Sequence, residues 1–157
     1  MATSKGKAFE QKLKEDFSKI PNSFIYRIPD QVTGYRVTSR NPADFFAFAE
    51  GKLLLLEAKS ITGNTFPLGN FTQLERLQEY RNIPGIRRGV VIWFIDHGKV
   101  IYVPSESMQK MKDDGKKSVN IRTLSSDGYD YVEIPSVRKR VFLDSDYSIL
   151  LTTPENW

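Results

Sequence analysis

Apolar and polar positions alternate along this chain with two distinct periods. Phe9, Leu13, Phe17 and Ile20 recur at helical spacing with Lys and Glu between them, which predicts a helix over 6–20, closed by Pro21-Asn22. SFIYRI (23–28) reads as a strand, and PDQVTGYRVTSRNP (29–42) as a loop or short hairpin bounded by prolines. NPADFFAFAEGKLLLLEAK (41–59) reads as two strands meeting at Glu50-Gly51. Beyond the turn-rich ITGNTFPLG, Asn70 and Gln73 have the spacing of a capping box opening a helix, with Leu74, Leu77 and Tyr80 inward, and Ile83-Pro84-Gly85 closes it. GVVIWFID (89–96) is apolar throughout, as a central strand covered on both faces should be; Asp96-His97-Gly98 turns it into a partner strand, KVIYVP. SESMQKMKDDG predicts a short helix capped by Ser105 and stopped by Gly115, and YDYVEIP is strand-like. This order predicts one α/β domain over 1–157 with a mixed central sheet flanked by helices.

The hairpin has a countable register. With Glu50-Gly51 as a two-residue turn, Ala49 faces Lys52, Phe48 faces Leu53, Phe46 faces Leu55, and Asp44 faces Glu57. Alternation then puts Asp44, Phe46, Phe48, Leu53, Leu55, Glu57 and Lys59 on one face, and Phe45, Ala47, Leu54, Leu56 and Ala58 on the other. Directly opposed Cβ atoms lie roughly 4.5–5.5 Å apart, so two carboxylates there repel unless a cation lies between them. Oxygen-only ligands point to Mg²⁺, with Mn²⁺ as its substitute. Lys59 is two residues further along the same face, within reach of a phosphate, so the group has the makings of a phosphodiester-cleaving site. An ion pair of Lys59 with Asp44 or Glu57 at a frayed hairpin end is the competing structural reading. A third carboxylate is available from the first helix, where Glu10 and Asp16 flank the buried face on opposite sides; periodicity leaves the two tied.

Composition narrows the chemistry. The chain of 157 residues has no cysteine and a single histidine, His97, which excludes disulfides, thiol catalysis and zinc sites built on cysteine or several histidines. The first residues lack an apolar signal segment and no run is long enough for a membrane span, so a soluble protein is expected, in the cytoplasm and away from membranes. Net charge is +4, a modest basic excess. Its clusters say more: Lys5, Lys7, Lys12 and Lys14 near the start, Arg36 and Arg40 in the loop, Arg87-Arg88 and Lys116-Lys117 in expected turns, and Arg138-Lys139-Arg140 late in the chain. Lys5, Lys7, Arg36, Arg40, Arg87 and Arg88 are candidate phosphate contacts. His97 is expected in a turn, and Trp93 and Phe94 in the core or a subunit interface.

Asp44 followed by Glu57-Ala58-Lys59 after a run of leucines resembles the metal-binding signature of the PD-(D/E)xK nuclease superfamily, whose restriction-endonuclease-like core is a mixed sheet between helices. EAKSITGNTFPLGNF resembles the stretch after the catalytic lysine in RecU-like Holliday-junction resolvases, and Gly6-Lys7-Ala8-Phe9-Glu10 and GKKSVNI (115–121) are similar to further segments of that family. The likeness spans residue 6 to about 121. It implies a divalent-metal-dependent endonuclease, usually a homodimer, that nicks branched DNA symmetrically in recombination and repair. It further implies that Glu10, rather than Asp16, is the helix carboxylate, that Asp44 and Glu57 join it as metal ligands, and that Lys59 is catalytic. Gln73 is similar in placement to a catalytic-site glutamine of related nucleases, with helix capping as its other reading.

In one respect the chain departs from the family pattern. Members from bacterial chromosomes carry a long stalk between the first strand and the catalytic hairpin, where this chain has only Pro29 to Pro42, a truncated stalk or a loop. The short form suits a phage-encoded enzyme working in a bacterial cell. It also keeps open a less selective flap or duplex nuclease; a non-catalytic DNA-binding recombination factor is the reading from another class.

Overall fold

The computed structural model describes residues 5–29 and 41–153. Helix α1 (Lys5–Phe17) turns Phe9, Leu13 and Phe17 inward, as its spacing predicts, and Ile20 just beyond it is buried too. Strand β1 (Phe24–Arg27) follows, and then the hairpin of β2 (Phe45–Ala49) and β3 (Lys52–Ile61). Glu50 and Gly51 both have positive φ, 51° and 75°, the geometry of a two-residue turn whose twist matches the strands it joins. The observed pairs Ala49 with Lys52, Phe48 with Leu53 and Phe46 with Leu55 are those counted from the sequence.

Strand β4 (Thr65–Pro67) leads through a 3-10 turn at Leu68–Asn70 to helix α2 (Leu74–Gln78). The expected capping box is not formed: Asn70 ends the 3-10 turn, and Gln73 occupies the N-cap without a side-chain capping bond. The helix therefore starts one turn late, although Leu74 and Leu77 are buried as expected and Tyr80 packs against the same cluster. Strand β5 (Ile86–Phe94) and strand β6 (Lys99–Pro104) flank a second 3-10 turn, Ile95–His97. Helix α3 (Ser105–Asp113) is capped by Pro104, so Ser105 is its first residue and not its cap; Gly115 stops it at φ 82°. Strand β7 (Ser118–Asn120), helix α4 (Leu124–Asp127), strands β8 (Val132–Ile134), β9 (Ser136–Arg138) and β10 (Leu143–Ser145), and a last 3-10 turn at Tyr147–Leu151 complete the described chain.

The main sheet has the order β1-β2-β3-β5-β6-β8, with β3 and β5 parallel and the other neighbours antiparallel. It is the mixed sheet with flanking helices expected from the element order. Alternation separates two cores. Phe45, Ala47, Leu54, Leu56, Ala58, Val91, Trp93 and Tyr102 pack toward α1 and the C-terminal segment. Leu55, Val90, Ile92, Phe94, Ile101 and Val103 pack toward α2, α3 and the small β4–β7 sheet. Trp93 and Phe94 are thus core residues of this chain, 4% and 0% exposed.

Gly89 lies where β5 crosses the Tyr102 ring. A Cβ there would stand 2.4 Å from Tyr102 Cε2 and 2.6 Å from the Val103 carbonyl oxygen. Gly89→Ala is expected to lower stability by about 1–3 kcal/mol through overpacking, read as a lower urea midpoint at unchanged m-value.

Candidate metal centre

Four elements converge at one end of the β2–β3 hairpin. Extending the ladder one pair beyond Phe45 and Leu56 sets Asp44 beside Glu57. Asp44 is fixed from both sides: its carbonyl accepts from Ile28 N–H at 2.8 Å, and its Oδ2 accepts from Ala58 N–H at 3.0 Å. Glu57 shares its sheet face with Leu55 and faces Val90 of β5 across the parallel ladder. That position is central, and Glu57 is only 1% exposed. Among the described residues no N–H or hydroxyl donor reaches either of its carboxylate oxygens, and the group beside them is Asp44. Burial, and next the neighbouring Asp44 charge, push its carboxyl up to about 9, against the opposing pull of Lys59 and Arg27. Lys59 is the half-buried cation on the same face, and it forms no ion pair among the described residues.

An unsatisfied buried carboxylate costs about 1–3 kcal/mol, and more when charged. It persists where another requirement holds it, and a cation shared with Asp44 is the requirement that fits. Two acidic side chains with no nitrogen or sulfur donor suit a hard divalent ion that keeps water and phosphate oxygens in its remaining positions.

The structure does not bring Glu10 to this pair as a third ligand. Among the described residues no three Asp, Glu, His or Cys side chains stand close enough to hold an ion together. Glu10 Oε2 instead accepts from Arg27 Nε at 3.0 Å, and Arg27 Nη2 lies 3.8 Å from Asp44 Oδ1. Arg27 also donates to the Ile28 carbonyl and sits 5.8 Å over the Phe45 ring. It was not among the residues read from the sequence. Its place depends on the β1–β2 register, which a turn of countable length would reveal but the segment 29–42 does not.

Asp16, tied with Glu10 by periodicity, is occupied elsewhere. Its Oδ1 accepts from Lys12 Nζ at 3.0 Å and Lys19 Nζ at 3.1 Å, and its Oδ2 accepts from Ser145 N–H at 3.0 Å. Lys12 Nζ donates onward to Asp144 at 2.5 Å. This cluster clamps β10 onto α1. Removing the buried anion in Asp16→Ala should cost about 3 kcal/mol of stability in urea unfolding.

Of the remaining candidates, Arg87 and Arg88 are not in a turn. They lie in β5, paired opposite Leu54 and Leu55, and are 3% and 2% exposed, which withdraws them from surface phosphate contact. Arg88 donates to the Leu77 carbonyl and Gln78 Oε1 at the end of α2, and to Glu106 of α3. Arg87 donates to the Thr153 hydroxyl. Gln73 Oε1 accepts from the Thr72 hydroxyl, and no hydrogen bond joins Gln73 to Asp44, Glu57 or Lys59. His97 Nε2 stands 2.7 Å from Asn64 Oδ1, a contact that pins the turn after β3. Lys5 and Lys7 are exposed on α1, while Arg36 and Arg40 fall outside the described residues.

The comparisons with known proteins bear on the family and the fold of the chain. The family model for recombination protein U, RecU, matches residues 6–141, so the chain belongs to the RecU family. The match reaches twenty residues past the end of the likeness read from the sequence, 141 against 121, and takes in β8 and β9. Among solved structures the fold is similar to that of Archaeoglobus fulgidus Hjc, a Holliday junction resolvase from an archaeal hyperthermophile, with a TM-score of 0.57 at 16% identity over 77% of this chain and 93% of that one. No curated protein matches the chain.

Proposed function

We propose that this chain is a metal-dependent endonuclease that resolves Holliday junctions and related branched DNA, with one nuclease domain spanning residues 1–157. The observation that carries this reading is the Glu57 carboxylate, buried, reached by no donor and beside Asp44, in a member of the RecU family. Asp44 and Glu57 would hold the ion, Mg²⁺ or in its place Mn²⁺. When bound, such an ion makes the attacking water more acidic and offsets the negative charge that develops on the phosphodiester. Lys59 supplies an ammonium on the same face, within reach of a bound phosphate. Glu10 and Arg27 act as positioning residues, because Arg27 ties the α1 carboxylate to Asp44. Gln73 and the surface cations Lys5 and Lys7 are left as contacts to be tested, and cleavage takes place in the cytoplasm of the cell that makes the protein.

The chain works as a homodimer in this reading, since a four-way junction presents two equivalent strands to cut. Phe24, Tyr26 and Phe48 support it: they are 50%, 49% and 39% exposed and form an apolar face across β1 and β2. Among the described residues no helix is long and apolar enough to cross a membrane.

The short connection from Pro29 to Pro42 favours, as a second reading, a nuclease less selective for junctions. Incubating a four-way junction and a linear duplex of the same sequence with Mg²⁺ separates the two. Paired nicks in the junction with the duplex intact support resolution; equal cutting of both supports the second reading, and no cutting of either refutes both.

A further inference from the structure

Of the basic clusters in the sequence, Arg87-Arg88 is buried in β5, whereas Lys116-Lys117 is exposed. With Lys112 of α3, these lysines line a groove of about 510 Å³ between the 3-10 turn that follows β4, the start of α2, and the end of α3. All three are exposed, and none has an ion pair or side-chain hydrogen bond among the described residues. Glu75 is the lone carboxylate on the rim. The two acids nearest in sequence are engaged elsewhere: Asp113 accepts from Gln109 at 2.9 Å, and Asp114 from the Tyr129 hydroxyl at 2.8 Å. Three unpaired ammonium groups around one concavity repel each other, an arrangement that an anionic ligand would relieve.

The groove has a defined relation to the metal centre. Its floor residues Phe71, Leu74 and Met108 belong to the same core as Leu55, so the groove opens on the sheet face that carries Glu57 and Lys59. The pairing of Phe66 with Val119 brings the lysine segment beside β4, which begins four residues after β3 ends. The Leu68 N–H donates to the Lys117 carbonyl at 2.9 Å and fixes that segment.

We infer that this groove holds the phosphate backbone of a duplex arm next to the strand being cut, an assignment that rests on the nuclease reading above. The ligand is backbone rather than an unstacked base because Phe71, Leu74 and Met108 are 4%, 7% and 0% exposed and offer little surface for stacking. Phosphate contacts of this kind set affinity and register without touching the chemistry of cleavage.

The test is fluorescence anisotropy of the full chain with a labelled four-way junction in EDTA, comparing wild type with the triple variant Lys112→Ala, Lys116→Ala, Lys117→Ala. The variant should bind on the order of 10- to 100-fold more weakly near 0.1 M salt, with a salt dependence shallower by roughly 0.9 per lysine removed. Lys→Arg at all three positions should restore both, and the Mg²⁺-dependent cleavage rate at saturating junction should stay within about twofold of wild type. Unchanged affinity and salt slope in a folded triple variant, while wild type cuts the junction, would overturn the groove alone. Wild type that neither binds nor cuts the junction overturns the nuclease reading with it.

Discussion

Asp44→Asn and Glu57→Gln are each expected to slow cutting of a four-way junction by about 10³-fold or more while leaving junction binding within a few-fold of wild type. Glu57 is enclosed among Leu55, Val90 and the hairpin, so its amide replacement fits the same space and the loss is chemical. The magnitude follows from removing a negative charge that would hold the ion at the reacting phosphate. Lys59→Ala should lose cleavage by a smaller factor and regain part of it as Lys59→Arg, because a guanidinium at this half-buried position restores the charge. Time courses at saturating DNA, with binding measured separately in EDTA, check these outcomes. Cleavage by Glu57→Gln at the wild-type rate would remove Glu57 from the site.

The second large effect concerns the same residue without metal. Its carboxyl lies near 4.5 in an unfolded chain and is pushed up to about 9 in the fold, first by burial and then by Asp44. Between those values the unfolded state releases a proton that the folded state retains, so stability falls as pH rises. The contribution is complete below about pH 4.5 and fully lost above about pH 9. At neutral pH the cost is on the order of a few kcal/mol. Glu57→Gln, which has no proton to lose, should therefore be more stable than wild type in EDTA at pH 7–8 and show a flatter stability profile. Mg²⁺ should reverse the order, raising the melting temperature of wild type and leaving Glu57→Gln unmoved. A variant that is active in stability and dead in cleavage separates a functional carboxylate from a structural one.

The sequence discloses what short-range geometry controls. A two-residue turn fixes the β2–β3 register, so the meeting of Asp44 and Glu57 can be counted from Glu50-Gly51 alone. Helical spacing likewise places Phe9, Leu13 and Phe17. What stayed hidden depends on partners far along the chain. Asp16 is claimed by Ser145, a contact across 129 residues, and periodicity has no access to that. Arg88 looks like a surface cation until α2 and α3 close over β5 and offer it the Leu77 carbonyl, Gln78 and Glu106. Arg27 enters the site through a β1–β2 pairing with no countable turn. Asn70 and Gln73 have the right spacing for a capping box, but the 3-10 turn at Leu68–Asn70 takes up the residues that would form it.

We propose that Asp44 and Glu57 are shaped around a divalent ion. Counting bound Mn²⁺ by electron paramagnetic resonance, on the DNA-free protein at pH 7.5, tests it most directly. One ion per chain in wild type, displaced by Mg²⁺ and absent from Glu57→Gln, is the predicted result. Equal Mn²⁺ binding by wild type and Glu57→Gln would contradict it.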